Sequence, residues 1–432
     1  MDDIVVRPMP LTQGFGFFSP IGPLPEDMVR GYRHEVVGRF NNYHVTPQAW
    51  KWPLEPYSWI NDNLNIIDAF SPNVDKDVPF HVGHLRQLIL ATSLQRFMPQ
   101  SRTIFVALLG ASRGVRQKSM KEYKHWTHFT GYKPEIYYDV LMPVDVVTNI
   151  RPATPDDMCQ SDGGPETFMH PSAVPEVWDG PYGPVIVRRG DGKPLYAYHD
   201  LVFAATVRPT HYITDHGQRD HFRMLGLLEK HYPMGLVLGQ DEQKKWTKLK
   251  SRSGDAMSLT DAVSTVEERL LDTDRPEHLA WNVLAWNFLH VSRGNDVKFE
   301  VEKWTNPDSP GLYITYTWAR INKALNVRSG LEYELHEIER HIKDMDEEFH
   351  QVDLEILSLA DQHKYWRLQA WKNIDPTTLA SFAHDLARKL GSVYHQERID
   401  GGRQAFRMAL LYANTVLKKT MVWLGMFPLT DV

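Results

Sequence analysis

Asn65-Ile66-Ile67-Asp68-Ala69-Phe70, then Ser71-Pro72-Asn73, then His81-Val82-Gly83-His84-Leu85-Arg86-Gln87-Leu88-Ile89: this order of residues reads as strand, turn and helix. The run Ile66 to Phe70, apolar except for Asp68, is bounded by Ser-Pro-Asn, the composition of a turn, and Leu85, Leu88 and Ile89 recur at the spacing of one helical face. Further strands are expected at Thr103 to Leu109, ending at Gly110, and at Val185 to Val187, Leu201 to Ala205 and His211 to Thr214, with a helix from His221 to Lys230. Strands alternating with helices predict an α/β fold with a parallel sheet covered on both faces.

Outward from this segment the chain changes character twice. Residues 1–60 are rich in Pro, Gly and aromatics without sustained periodicity and are expected to form an irregular region. Residues 61–265 carry the strand and helix signals, with an insertion at about 97–184 whose part from Arg151 to Pro184 reads as loop-rich. A helical connector at 266–330 and an α-helical domain at 331–432 follow. Leu331, Leu335, Ile338, Ile342, Met345, Phe349 and Val352 are spaced as one apolar stripe, which predicts a long helix.

The 432 residues include 42% hydrophobic and 24% charged side chains, which is an ordinary globular composition. A single cysteine, Cys159, excludes an intramolecular disulfide and a multi-cysteine zinc cluster and points to a reducing compartment. The acidic start Met1-Asp2-Asp3 is unlike a signal peptide, and no apolar run reaches the ~18 residues a membrane span needs. A cytoplasmic protein without a membrane partner is expected. The net charge of -6 gives no global attraction for nucleic acid. One local basic run, Arg113, Arg116, Lys118, Lys121 and Lys124, reads first as a solvated helical face.

His81-Val82-Gly83-His84 falls at the strand-to-helix turn, where backbone N–H groups and the positive end of a helix dipole can hold a phosphate. Two imidazoles would add donors there, and Gly83 would let a flat ligand approach the backbone. The alternatives are a metal pair and two structural histidines. No carboxylate or cysteine stands beside them at a recognised metal spacing, so the reading favoured is nucleotide phosphate binding without a metal. The P-loop pattern is absent, which excludes that route to ATP.

Phe70-Ser71-Pro72-Asn73 with His81 to Arg86 resembles the signature of class I aminoacyl-tRNA synthetases, and of arginyl-tRNA synthetase in particular. Leu195-Tyr196-Ala197-Tyr198-His199-Asp200-Leu201, His216-Gly217-Gln218-Arg219-Asp220-His221-Phe222, Lys248-Leu249-Lys250-Ser251-Arg252 and Leu312 to Ile321 match other segments of that family in order, and Leu379 to His395 resembles its anticodon-binding helices. The resemblance implies a Rossmann-like catalytic domain of the class I type followed by an anticodon-binding-like helical bundle.

It also implies that His81, Gly83, His84, Lys248, Lys250, Ser251 and Arg252 bind ATP. His81, His84, Lys250, Arg252 and the more distantly spaced Lys76 would assist catalysis. Asp68, Asn73, Tyr196, Asp200 and Gln218 would hold arginine, whose planar charged guanidinium suits acids that accept forked donors. Tyr196 and Asp200, four apart, share a face if their segment is helical. ATP with Mg2+ follows from the adenylate chemistry.

Only about 60 residues precede the first strand, and none matches the extra domain with which most members of the family touch the tRNA elbow. A shortened form or paralog is therefore expected. Three functions follow: a ligase that charges tRNA with arginine, a biosynthetic ligase passing activated arginine to a small-molecule or peptide acceptor, and a non-catalytic arginine sensor, against which the intact His81 and His84 argue.

Overall fold

A computed structural model describes residues 7–8, 16–19, 33–37, 40–44, 65–72, 79–98, 101–107, 113–138, 146–154, 156–157, 174–241, 243–249, 257–326, 334–394, 399 and 403–430. The N-terminal region is not wholly irregular. Strands β1 (Arg7–Pro8), β2 (Gly16–Ser19), β3 (Arg33–Val37) and β4 (Phe40–His44) form an antiparallel sheet in the order β1-β2-β4-β3. Tyr43 is buried in it and stacks on His34.

The expected opening is present as β5 (Asn65–Asp68) and α1 (Val82–Phe97). The strand stops at Asp68, so Ala69 and Phe70 lie beyond it as buried core. Helix α1 is buried on nearly every side because the sheet covers one face and helices cover the other, which accounts for its apolar run Leu88-Ile89-Leu90-Ala91. Then come β6 (Ser101–Ala107), which is the expected strand begun two residues earlier, α2 (Arg113–Thr130) and β7 (Glu135–Tyr138). Leu108 to Gly110 fall outside the described residues. On α2, Tyr123 and Trp126 are buried and Lys121 and Lys124 are exposed, as a solvated basic face requires.

Residues 97–184 thus contribute two strands of the main sheet, and only their later part leaves it. There β8 (Ile150–Pro152), β9 (Glu176–Gly180) and β10 (Gly183–Arg188) form a separate antiparallel sheet in the order β10-β9-β8. Val185 to Val187 is therefore a strand, but of this sheet and not the parallel one. Gly183, at φ +124°, makes the tight reversal between β9 and β10 that other residues rarely adopt.

Leu201 to Ala205 is not a strand; it lies in α3 (Tyr196–Thr206). A five-residue apolar run has no decisive period, and here it packs Leu201 and Val202 on Val187 of β10. Next comes β11 (His211–Tyr212), shorter than expected, and α4 (Arg219–Met224). The helix expected to reach Lys230 breaks at Gly226, φ +71°, before a single 3-10 turn. The main sheet runs β11-β5-β6-β7, every pair parallel. Its strand order reverses at β5, and in open α/β sheets ligands bind outside the carboxyl ends of the strands at such a point.

The remainder is β12 (Val237–Gln240), β13 (Trp246–Lys248), α5 (Leu259–Glu267), α6 (Pro276–Leu289), β14 (Val297–Lys298), α7 (Val301–Trp304), α8 (Pro310–Ala324), α9 (Leu335–Asp344), α10 (Gln351–Asp361), α11 (His363–Asn373), α12 (Thr377–Tyr394) and α13 (Gln404–Trp423). The stripe from Leu335 to Val352 spans two helices instead of one. Asp353, fully buried and paired with Arg403, accepts a bond from the His350 N–H and starts α10 there. Leu331 lies outside the described residues. One continuous core joins α1 to the helical part through Leu94, Trp281, Leu417 and Leu424, and Arg96 ties α1 to the Val422 carbonyl at 3.1 Å. Among the described residues no helix is long and apolar enough to cross a membrane.

Candidate functional site

A cavity of about 780 Å³ opens at the carboxyl ends of β5 and β11. Asp68 and Ser71 reach it from β5 and its exit, Ile213, Thr214 and Asp215 from the exit of β11, and His81, Gly83, His84 and Gln87 from the start of α1. Tyr196, His199 and Asp200 enter from α3, Gln218 from the turn into α4, His221 from α4 itself, and Lys248 from the end of β13. The fold brings together residues far apart in sequence because the sheet order reverses between β5 and β11.

The two histidines are both structural and available. His81 caps α1: its Nδ1 accepts the Gly83 N–H at 3.1 Å, while His84 Nδ1 accepts the His81 N–H at 3.3 Å. The rings stack with centroids 3.8 Å apart. Each Nδ1 is an acceptor, so the ring proton belongs on Nε2. Burial and Lys248 favour the neutral form of both imidazoles: His84 is pushed down to about 3 by burial, then His81 and Lys248, and His81 is lowered chiefly by burial and then by Lys248. The helix start therefore presents two oriented neutral Nε2–H donors. Gly83 lines the cavity, yet its first constraint is internal, because a Cβ there would stand 2.8 Å from Cε1 of His81.

The acidic side is built differently. Asp68 is partly buried in the cavity wall, accepts the Ser71 hydroxyl at 2.5 Å, and is pushed up to about 7 by desolvation despite that bond. Asp200, half-buried on α3, receives His221 Nε2 at 2.6 Å. Tyr196 stands one turn before Asp200 on the same helix and is exposed, so the expected helical spacing is realised. His221 is held by its neighbour Phe222, buried and stacked on His231. Tyr212 is 2% exposed, and its hydroxyl has no hydrogen-bond partner among the described residues.

Of the sequence-derived site residues, Asp68, His81, Gly83, His84, Tyr196, Asp200, Gln218 and Lys248 line this one cavity. Asn73, Lys76, Lys250, Ser251 and Arg252 lie outside the described residues. Ser71, Tyr212, Asp215 and His221 carry no role in the sequence reading, because their partners are known only once the strands are aligned. Arg86, quoted only as part of the signature, is buried and donates to the Gly235 carbonyl at 2.7 Å, fastening α1 to the segment before β12.

Comparison with known proteins places this arrangement. Residues 314–432 match the DALR anticodon binding domain. The chain is 26% identical over 280 residues to the arginine–tRNA ligase of Streptococcus agalactiae, covering 56% of this chain and 46% of that protein. It is 23% identical over 350 residues to that of Halothermothrix orenii, covering 72% and 58%. The chain thus spans about half the length of the curated relatives it matches.

Among solved structures, Thermus thermophilus arginyl-tRNA synthetase superposes with a TM-score of 0.67 at 12% identity, over 99% of this chain and 96% of that one. Plasmodium falciparum arginyl-tRNA synthetase gives 0.67 at 14% identity over 100% and 95%. Mycobacterium tuberculosis methionyl-tRNA synthetase gives 0.52 at 10% identity over 84% and 92%. The fold is the one found in class I aminoacyl-tRNA synthetases, a parallel-sheet domain followed by a helical domain. Within that class, the sequence relatives named above and the two structures that superpose at 0.67 are arginyl-tRNA synthetases.

Proposed function

We propose that this chain activates arginine with ATP as arginyl-adenylate and transfers it to the 3′ end of tRNA. The observation that carries the reading is one cavity holding both halves of the required chemistry. His81, His84 and Lys248 supply donors and positive charge for phosphates, and Asp68, Asp200, Gln218 and Tyr196 supply acceptors for a guanidinium. The site residues are assigned by resemblance, and their convergence in the fold supports that assignment.

In the first step an arginine carboxylate oxygen bonds to the α-phosphorus as the bond to the leaving pyrophosphate breaks. Negative charge grows on the phosphate oxygens, and the two fixed Nε2–H donors stabilise it without reorganising. Because both histidines are neutral, they act as donors and not as acids, so no proton need cross from them. In the second step a ribose hydroxyl of the terminal nucleotide attacks the activated carbonyl and AMP leaves. Lys76, Lys250, Ser251 and Arg252 are assigned to the phosphates, and Asn73 to arginine, on the resemblance alone.

No group of three or more His, Cys, Asp or Glu among the described residues could hold a metal ion by itself. Mg2+ is accordingly assigned to the ATP phosphates, arriving with the nucleotide and water ligands and offsetting phosphate charge. The anticodon-binding match at 314–432 favours tRNA as the acceptor, and no observation favours a small-molecule or peptide acceptor. The cytoplasm, where tRNA is charged, is the compartment that fits.

Incubating the chain with ATP, radiolabelled arginine and total tRNA tests the proposal. Acid-precipitable label that base hydrolysis releases is the expected result. Pyrophosphate release without any charged tRNA would move the acceptor elsewhere.

A further inference from the structure

Tyr212 stands on β11 beside β5, paired in register with Asp68. Its ring belongs to an apolar cluster with Phe203, Val207 and Phe222, the Phe222 ring lying 5.1 Å away and the Phe203 ring 6.3 Å away. These neighbours grip the aromatic body and leave the hydroxyl as the polar tip of the residue. That hydroxyl is shielded from water and has no hydrogen-bond partner among the described residues. Buried polar atoms in native proteins are almost always satisfied, so an orphan in a cavity wall asks for a ligand atom.

The surroundings say which chemistry that atom has. Tyr212 lines the same cavity as Asp68 and Asp200, and both carboxyl groups act on its phenol, which burial and these two acids together push well above the usual tyrosine range. The hydroxyl thus stays protonated and can donate once and accept once. A ligand group beside two acids and a hydroxyl acceptor must itself be a multiple N–H donor with positive charge.

We propose that the Tyr212 hydroxyl is a further arginine contact, accepting one guanidinium N–H between Asp68 and Asp200 and completing the acceptor set that selects this side chain. The inference rests on the arginine-activating reading and deepens it. No bond is made or broken at Tyr212; its part is to bind and orient.

Tyr212→Phe separates a binding role from a structural one, because the two move in opposite directions. The variant deletes an atom that the empty protein leaves unsatisfied, so the ligand-free melting temperature should be equal to or above that of wild type. The KM for arginine in pyrophosphate exchange should rise about tenfold, the usual worth of a hydrogen bond to a charged group, with the KM for ATP unchanged. An unchanged KM for arginine overturns the inference while leaving the proposed function standing. A lowered ligand-free melting temperature also overturns it, since the hydroxyl would then serve the fold. Wild type that shows neither arginine-dependent exchange nor stabilisation by arginine removes the proposed function and the inference together.

Discussion

Replacing Asp68 by asparagine should stabilise the empty protein at alkaline pH while removing arginine binding. The carboxyl group sits partly buried in the cavity wall, and desolvation there raises it from 3.8 to about 7. An unfolded chain gives up this proton near pH 4, whereas the folded chain keeps it until about pH 7. Between those values the folded state binds more protons, so stability falls as pH rises, by about 1.4 kcal/mol per pH unit and about 4 kcal/mol at most. The amide of the Asp68→Asn variant would keep an oxygen to accept the Ser71 hydroxyl and would carry no charge at any pH. The variant should therefore match wild type near pH 4 and exceed it by about 2–4 kcal/mol at pH 8.

Urea unfolding followed by tryptophan fluorescence at pH 4, 6 and 8 measures this. His84, lowered to about 3, contributes with the opposite sign, its stability lost as pH falls below the ordinary histidine range. Subtracting one protein's profile from the other's cancels that contribution and isolates Asp68. A guanidinium beside Asp68 favours its charged form, so wild-type affinity for arginine should also rise from pH 6 to 8. Parallel stability profiles for the two proteins would refute the claim that a carboxyl charge is buried here.

Substitutions at three further positions separate the halves of the site. His84→Ala should lower the exchange rate about a hundredfold by removing one oriented donor, with arginine binding measured by calorimetry unchanged. Asp200→Asn should cut discrimination of arginine against citrulline by at least about tenfold, read as the ratio of kcat/KM values, because a charge-assisted acceptor is lost. His221→Ala should raise the KM for arginine about tenfold with a smaller effect on kcat, since the carboxylate of Asp200 loses the partner that fixes its rotation, and His221→Gln should recover most of the loss.

What the sequence made legible is local. Asn65 to Asp68 and Val82 to Phe97 were readable because a turn separates a strand-like apolar run from residues spaced for a helix, and the Tyr196–Asp200 spacing needed only one turn of helix to be meaningful. Leu201 to Ala205 misled because five apolar residues bury equally well as strand or helix, and the choice is made by packing on Val187. The stripe through Val352 misled because periodicity carries on past Met345, while a buried Asp353–Arg403 pair, 50 residues apart, starts a new helix. The partners of His221 and the orphaned hydroxyl of Tyr212 depend on strand order, which residue spacing does not encode.

The most direct test is arginine-dependent exchange of labelled pyrophosphate into ATP, run on nuclease-treated protein with each of the twenty amino acids, with and without total tRNA. The account predicts exchange with arginine alone among the twenty. Exchange driven by another amino acid, or none with arginine even when tRNA is present, would contradict it.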